Sequence, residues 1–186
     1  MSIFAVYGGS FDPPHNGHTN VLNLIMEQEF FDGVIVVPAG GNPFKELVTL
    51  HSDRKKILLK WVHGVAEELG AEKIRTNHWI FNQKNLILDL ESLQLNETST
   101  FRTVERLSEC RLADDLVIVI GSDLVEEVPR WQFADQLIDR YCFAVIPRGG
   151  FQRVFPCGFR EIPLELTNFE PTEISSTIIN NKKLLL

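Results

Sequence analysis

Cysteine, long apolar runs and positive charge are all scarce in this 186-residue chain. The thiols stand only at Cys110, Cys142 and Cys157, an odd number without CxxC spacing, which argues against a disulfide framework and suggests no zinc site. They are expected to be reduced and packed. No uncharged apolar run approaches the roughly 18 residues that a membrane-spanning helix requires. The apolar stretch Ile3 to Tyr7 is too short for a secretory core and lacks a basic lead-in, so a cytoplasmic, membrane-free protein is expected. Lysine and arginine number 18 against 25 aspartates and glutamates, a formal charge of −7 that opposes broad binding to nucleic acid. A nucleotide needs only a local positive field. Internal repeats and Pro/Gly/Ser-rich linkers are also missing, and one domain spanning residues 1–186 is expected.

What is present is 44% apolar side chains, arranged in short continuous runs. Ile3-Phe4-Ala5-Val6-Tyr7 reads as a buried strand that opens into a turn at Gly8-Gly9. A helix beginning near Gly17-His18 follows, with Val21, Leu22, Leu24, Ile25 and Met26 on its buried face. Gly33 to Val37 reads as a second strand ending at Pro38, and Ser52 as the cap of a helix from Asp53 to about Leu69. Leu116 to Ile120 and Tyr141 to Ile146 are further strands, separated by a helical pattern around Trp131 to Arg140. Continuous apolar strands interleaved with helices imply a doubly wound α/β fold with a mainly parallel sheet and helices on both faces. Ligands are then expected beyond the carboxyl ends of the strands. Residues 70–96 read as mixed, with Asn77 to Asn82 open between strand and loop.

The chemistry concentrates in Gly8-Gly9-Ser10-Phe11-Asp12-Pro13-Pro14-His15-Asn16-Gly17-His18. Glycines after a strand let backbone N–H groups approach an anion, and the amides of a helix starting near Gly17 point the same way. His15 and His18, three residues apart across that helix start, are placed to reach one phosphate group and to stabilise charge developing on it. Asp12 and Asn16 are expected to tie the loop together through local amides.

This segment resembles the G-[S/T]-F-D-P-x-H-x-G-H signature of the nucleotidyltransferase superfamily, and most of the chain resembles bacterial nicotinate mononucleotide adenylyltransferases. The resemblance implies a Rossmann-like fold. It also implies an ATP site that includes Gly8, Gly9, Ser10, Phe11 and Gly17, with His15 and His18 on the phosphates. Pro38 to Lys45 resembles a loop whose lysine, here Lys45, approaches those phosphates, and Arg54 matches a basic residue of the next helix. Gly121-Ser122-Asp123 resembles a Gly-Ala-Asp whose aspartate lies near the nucleotide ribose, which implicates Gly121 and Asp123. Ile174-Ser175-Ser176-Thr177 matches the I-S-S-T motif that holds the β- and γ-phosphates, although Asn180 stands where the family has arginine.

On the substrate side, Thr98 to Thr103 resembles Ser-Tyr-Thr-x-Asp-Thr, with Ser99 and Arg102 replacing the tyrosine and aspartate. Thr100 is the pocket residue this implies, while on its own the segment reads as a helix cap at Thr98 or Ser99. Trp131 matches a tryptophan that stacks on the pyridine ring, and Arg148 a basic turn near the substrate. The implied reaction is adenylyl transfer from ATP to nicotinate mononucleotide, giving deamido-NAD and pyrophosphate, with Mg2+ on the phosphates and no metal cage built by the protein. Nicotinamide mononucleotide or phosphopantetheine as acceptor, or a regulator that binds nucleotide without turnover, are the alternatives, and a homo-oligomer is compatible with the sequence.

Overall fold

The computed structural model describes residues 1–39, 51–95, 98–150, 155–166 and 169. The elements run β1 (Ile3–Gly9), α1 (Asn16–Glu27), β2 (Gly33–Pro38), α2 (His51–Glu68), β3 (Glu72–Arg75), β4 (His78–Phe81) and β5 (Lys84–Leu88). Then follow α3 (Leu90–Leu95), α4 (Thr100–Glu109), β6 (Asp115–Gly121), a 3-10 helix (Ser122–Arg130), α5 (Ala134–Arg140) and β7 (Cys142–Ile146). The seven strands make one sheet in the order β3-β4-β5-β2-β1-β6-β7. Strands β5, β2, β1, β6 and β7 pair in parallel, and β4 is antiparallel to both its neighbours. This is the mainly parallel α/β architecture expected from the apolar runs, and the Rossmann-like fold that the resemblance implies.

Alternation within the buried strands assigns each helix to a face. Ala5 and Tyr7 of β1, with Val34 and Val36 of β2, pack on the side of α1 and α2, where Leu22, Ile25, Leu58 and Val62 are buried. Phe4, Val6, Ile35 and Val37 face the opposite layer, made by Val104 of α4, Val125 and Val128 of the 3-10 helix, and Leu137 of α5. Both faces are covered, so the strands read as continuous apolar runs. From β1 the chain progresses outward through β2 and β5, then returns to lay β6 on the other side of β1. That reversal leaves a crevice at the carboxyl ends of β1 and β6.

Several expectations are corrected. β1 does not stop before the glycines: Gly8 and Gly9 stay in register with Val37 and Pro38. The ambiguous stretch forms the antiparallel β3 and β4 and the parallel β5, with Trp79 of β4 buried. Their burial mixes exposed, half-buried and buried positions, which obscures both the continuous and the alternating strand pattern. The helix expected around Trp131 begins only at Ala134, because Phe133 takes a left-handed φ of 62° that separates it from the 3-10 helix. Helix α2 starts at His51, ahead of the expected cap. Of the thiols expected to be packed, Cys110 and Cys157 are exposed and Cys142 is half-buried. No described helix is long and apolar enough to cross a membrane.

Two polar clamps close the side of the sheet away from the crevice. Lys84 donates from Nζ to the carbonyls of Met26 and Gln28, capping the end of α1. Gln28, itself buried, donates from Nε2 to the Glu165 carbonyl and accepts the Glu165 N–H at Oε1. Gly33 opens β2 in a space closed by backbone: a Cβ there would stand 2.6 Å from the Asn85 carbonyl oxygen and 3.0 Å from the Phe4 ring. Gly33→Ala should therefore destabilise the protein by about 1–3 kcal/mol, as overpacking against backbone does. Urea unfolding checks this, and an unchanged midpoint would refute it.

Candidate active site

The loop after β1 carries its unusual dihedral at Phe11, with φ of 44°, and not at the glycines; the Asp12–Pro13 peptide is cis. Gly9 is required for a different reason. A Cβ on it would meet the Phe11 ring at 3.0 Å. That ring is only 1% exposed and packs edge-on against Tyr7 and His18, with Trp61 of α2 beside it at 5.1 Å. Phe11, which the resemblance assigns to the ATP site, therefore offers its side chain to the core and supports His18. Trp61 completes this shell and is fixed by donating from Nε1 to the Thr19 hydroxyl.

The two histidines cap α1 reciprocally. His15 is the N-cap; its Nδ1 accepts the Gly17 N–H at 3.1 Å, while His18 Nδ1 accepts the His15 N–H at 3.2 Å. Their rings stack with centroids 3.7 Å apart. A neutral imidazole whose Nδ1 accepts must carry its proton on Nε2, so each ring keeps an Nε2–H donor that capping does not use. The Gly17 amide, expected to face an anion, is taken by His15. The Nε2–H groups of the two imidazoles remain as side-chain donors at this point.

Their protonation is set by surroundings. Burial and the charge of Arg148 hold His15 below the ordinary imidazole range, and burial, His15 and Arg148 together push His18 down to about 3. Both rings are thus neutral donors at neutral pH. Arg148 follows β7, its N–H donating to the Ser122 hydroxyl at 2.8 Å. Its Nε lies 3.2 Å from Asp123 Oδ1, and its side chain is 47% exposed. Gly121 makes room for this pair, since a Cβ there would lie 2.2 Å from Asp123 Oδ1 and 2.8 Å from Arg148 Nε. Sequence motifs placed Asp123 and Arg148 separately; the fold brings them together next to the histidines.

Arg54 is not the surface cation its loop-side position suggests. It is 2% exposed, and its Nη2 donates to the carbonyls of Ser10 at 2.7 Å and Ala39 at 2.9 Å. Burial lowers its pKa, and the charge of nearby Asp12, itself buried, opposes that shift. The signal for this lay in the helix: Arg54, Leu58 and Val62 fall four apart on one buried stripe of α2.

Beside the loop opens a cavity of about 500 Å3, lined by Gly8, Gly9 and Ser10 together with Thr100 and Trp131. Ser99 caps α4 by accepting the Arg102 N–H, and Thr100 opens that helix on the cavity wall. Trp131 stands where the 3-10 helix ends. The resemblance-derived phosphate and ring-binding ends thus meet in one crevice at the switch between β1 and β6. Lys45 and Ile174-Ser175-Ser176-Thr177 lie outside the described residues. Among those described, no group of three His, Cys, Asp or Glu gathers to hold a metal ion.

The crevice, paired imidazoles and adjacent arginine belong to a known class. The cytidylyltransferase-like family model matches residues 6–182, and the chain belongs to that family. A probable nicotinate-nucleotide adenylyltransferase of Nitratiruptor sp. is 30% identical over 148 residues, covering 80% of this chain and 75% of that one. The nicotinate-nucleotide adenylyltransferase of Bacillus subtilis is 27% identical over 185 residues, covering 98% and 86%. Within the wider family, the chain falls with these nicotinate-nucleotide adenylyltransferases. The nicotinic acid mononucleotide adenylyltransferase of Plasmodium falciparum, solved with NaAD, shares the fold with a TM-score of 0.73 at 22% identity, over 99% of this chain and 90% of that one.

The depressed His18 pKa has a thermodynamic consequence. Unfolded, the ring takes up a proton near 6.5; folded, it resists until about 3. Acidification through that window therefore favours the unfolded state, because it binds more protons there. Compared with His18→Gln, the wild type should lose more thermal stability as pH falls from 6.5 toward 3. Melting curves of both proteins across that range check this, and parallel Tm profiles would contradict it.

Proposed function

We propose that the protein transfers the adenylyl group of ATP to nicotinate mononucleotide, forming deamido-NAD and pyrophosphate in NAD biosynthesis. The observation that carries this is the single crevice joining Gly8-Gly9-Ser10 to Thr100 and Trp131, with the Nε2–H donors of His15 and His18 at the loop beside it. Its family and its relatives support the same chemistry.

In this reading the substrate phosphate, already ionised at neutral pH, attacks the α-phosphorus of ATP. A new phosphorus–oxygen bond forms as the bond to the β-phosphate oxygen breaks, and pyrophosphate leaves with the electron pair. No proton has to be removed, so no general base is needed. The protein aligns the reactants and stabilises the negative charge on the transferring group. His15 and His18 donate to phosphate oxygens from Nε2 without first ionising. Arg148, half-exposed beside them, adds the positive field that the net charge of −7 denies the surface at large. Asp123 accepts a ribose hydroxyl at the end of β6, and Trp131 offers its face to the pyridine ring. Lys45 and the Ile174–Thr177 segment are assigned to the phosphates by resemblance.

The donor set here is imidazole and guanidinium, which fits a magnesium ion carried in on triphosphate oxygens and water better than one caged by protein. When bound, Mg2+ supplies further charge neutralisation on the phosphates. Incubating the protein with ATP, Mg2+ and, in parallel, nicotinate mononucleotide, nicotinamide mononucleotide or phosphopantetheine tests the reading by product analysis. Deamido-NAD is expected from the first; reaction with phosphopantetheine alone would overturn the substrate assignment. His18→Ala should lower kcat by roughly 100-fold or more while the protein stays folded by circular dichroism, the scale of losing one preorganised donor. Near-normal turnover would remove His18 from the mechanism.

A further inference from the structure

The cavity wall contributed by the 3-10 helix carries two charges that the reaction above does not use. Glu127 and Arg130 both line the cavity beside Trp131, and they are the only charged side chains among the described residues lining it. They stand three residues apart in the 3-10 helix, where a three-residue repeat stacks such positions along one side. Neither makes an ion pair within 4.0 Å with any described residue. The rest of the lining is neutral: hydroxyls at Ser10, Thr98, Ser99, Thr100 and Thr103, the Gln132 amide, and apolar surface.

We propose that Glu127 and Arg130 read the charge pattern of the substrate ring, with Arg130 conferring the preference for a ring carboxylate over a ring carboxamide. This rests on the nicotinate mononucleotide reading and names the residues that enforce it. A pyridine ring joined to ribose through nitrogen is cationic at that nitrogen, and in the nicotinate form it also bears a carboxylate. The acid and the base of the wall match those opposite charges in number and sign. A guanidinium donates two parallel hydrogen bonds to a carboxylate, which a neutral amide cannot accept in the same geometry. Nicotinamide mononucleotide shares the cationic nitrogen, so Glu127 serves both substrates and Arg130 separates them. Both side chains are exposed in the free protein, and their charges strengthen as a bound ring excludes water between them.

The test compares kcat/KM for nicotinate and nicotinamide mononucleotides, at saturating ATP and Mg2+, in the wild type, Arg130→Gln, Arg130→Lys and Glu127→Gln. Arg130→Gln should lower kcat/KM for the nicotinate form roughly tenfold or more, mainly through KM, and leave the nicotinamide form near its wild-type value. Arg130→Lys should keep part of the preference. Glu127→Gln should raise KM for both forms and leave their ratio unchanged. A nicotinate preference in the wild type that persists within about twofold in Arg130→Gln would overturn the assignment while leaving the functional reading intact. A wild type that uses neither mononucleotide would overturn both.

Discussion

A buried guanidinium ties together the first residues beyond the carboxyl ends of β1 and β2. Arg54 reaches from α2 between the two strands and donates to one carbonyl beyond each, Ser10 and Ala39. Adjacent parallel strands have no tight turn between them, so these two strand ends are joined by their ladder, by the Ala39 N–H donating to the Gly9 carbonyl, and by Arg54. Ser10 and Ala39 both line the crevice, so this tie fixes one corner of its wall. Water could satisfy the same carbonyls, but it would not fix the distance between them. The desolvation that such burial imposes is offset by the two bonds and by the Asp12 charge nearby.

The same economy appears at the start of α1, where residues assigned to chemistry also complete the fold. His15 and His18 spend their Nδ1 lone pairs on the backbone N–H groups of Gly17 and His15. The tautomer of each ring is therefore decided when the helix forms. Phe11 and Trp61 hold His18 from the side, and Gly9 keeps the space Phe11 needs. The donors are oriented before any ligand arrives, which is what electrostatic preorganisation requires.

Legibility in the sequence followed burial. β1, β2, β6 and β7 are apolar on both faces, so each stood out as an unbroken run. β3, β4 and β5 mix exposed, half-buried and buried positions, and no period survives that mixture. Among site residues, the histidine loop was readable because strand, glycines and imidazoles occur in order within a short span. The burial of Arg54 was not read from the sequence, although the stripe it shares with Leu58 and Val62 carried the signal. The closeness of Arg148 to Asp123 was not legible, since 25 positions and a crossover separate them and only the sheet order brings them within 3.2 Å. Glu127 and Arg130 drew no reading from the sequence, and only the folded chain places them on the cavity wall.

One boundary of the sheet remains. β3 closes the edge beyond β4 and β5 with Glu72, Lys73, Ile74 and Arg75, every one of them exposed. A further strand pairing there would bring a charged row against its own side chains, and the register shift between Lys73 and Arg75 breaks the straight ladder it would need. The antiparallel extension thus makes this edge of the seven-stranded sheet a poor template for pairing with another chain.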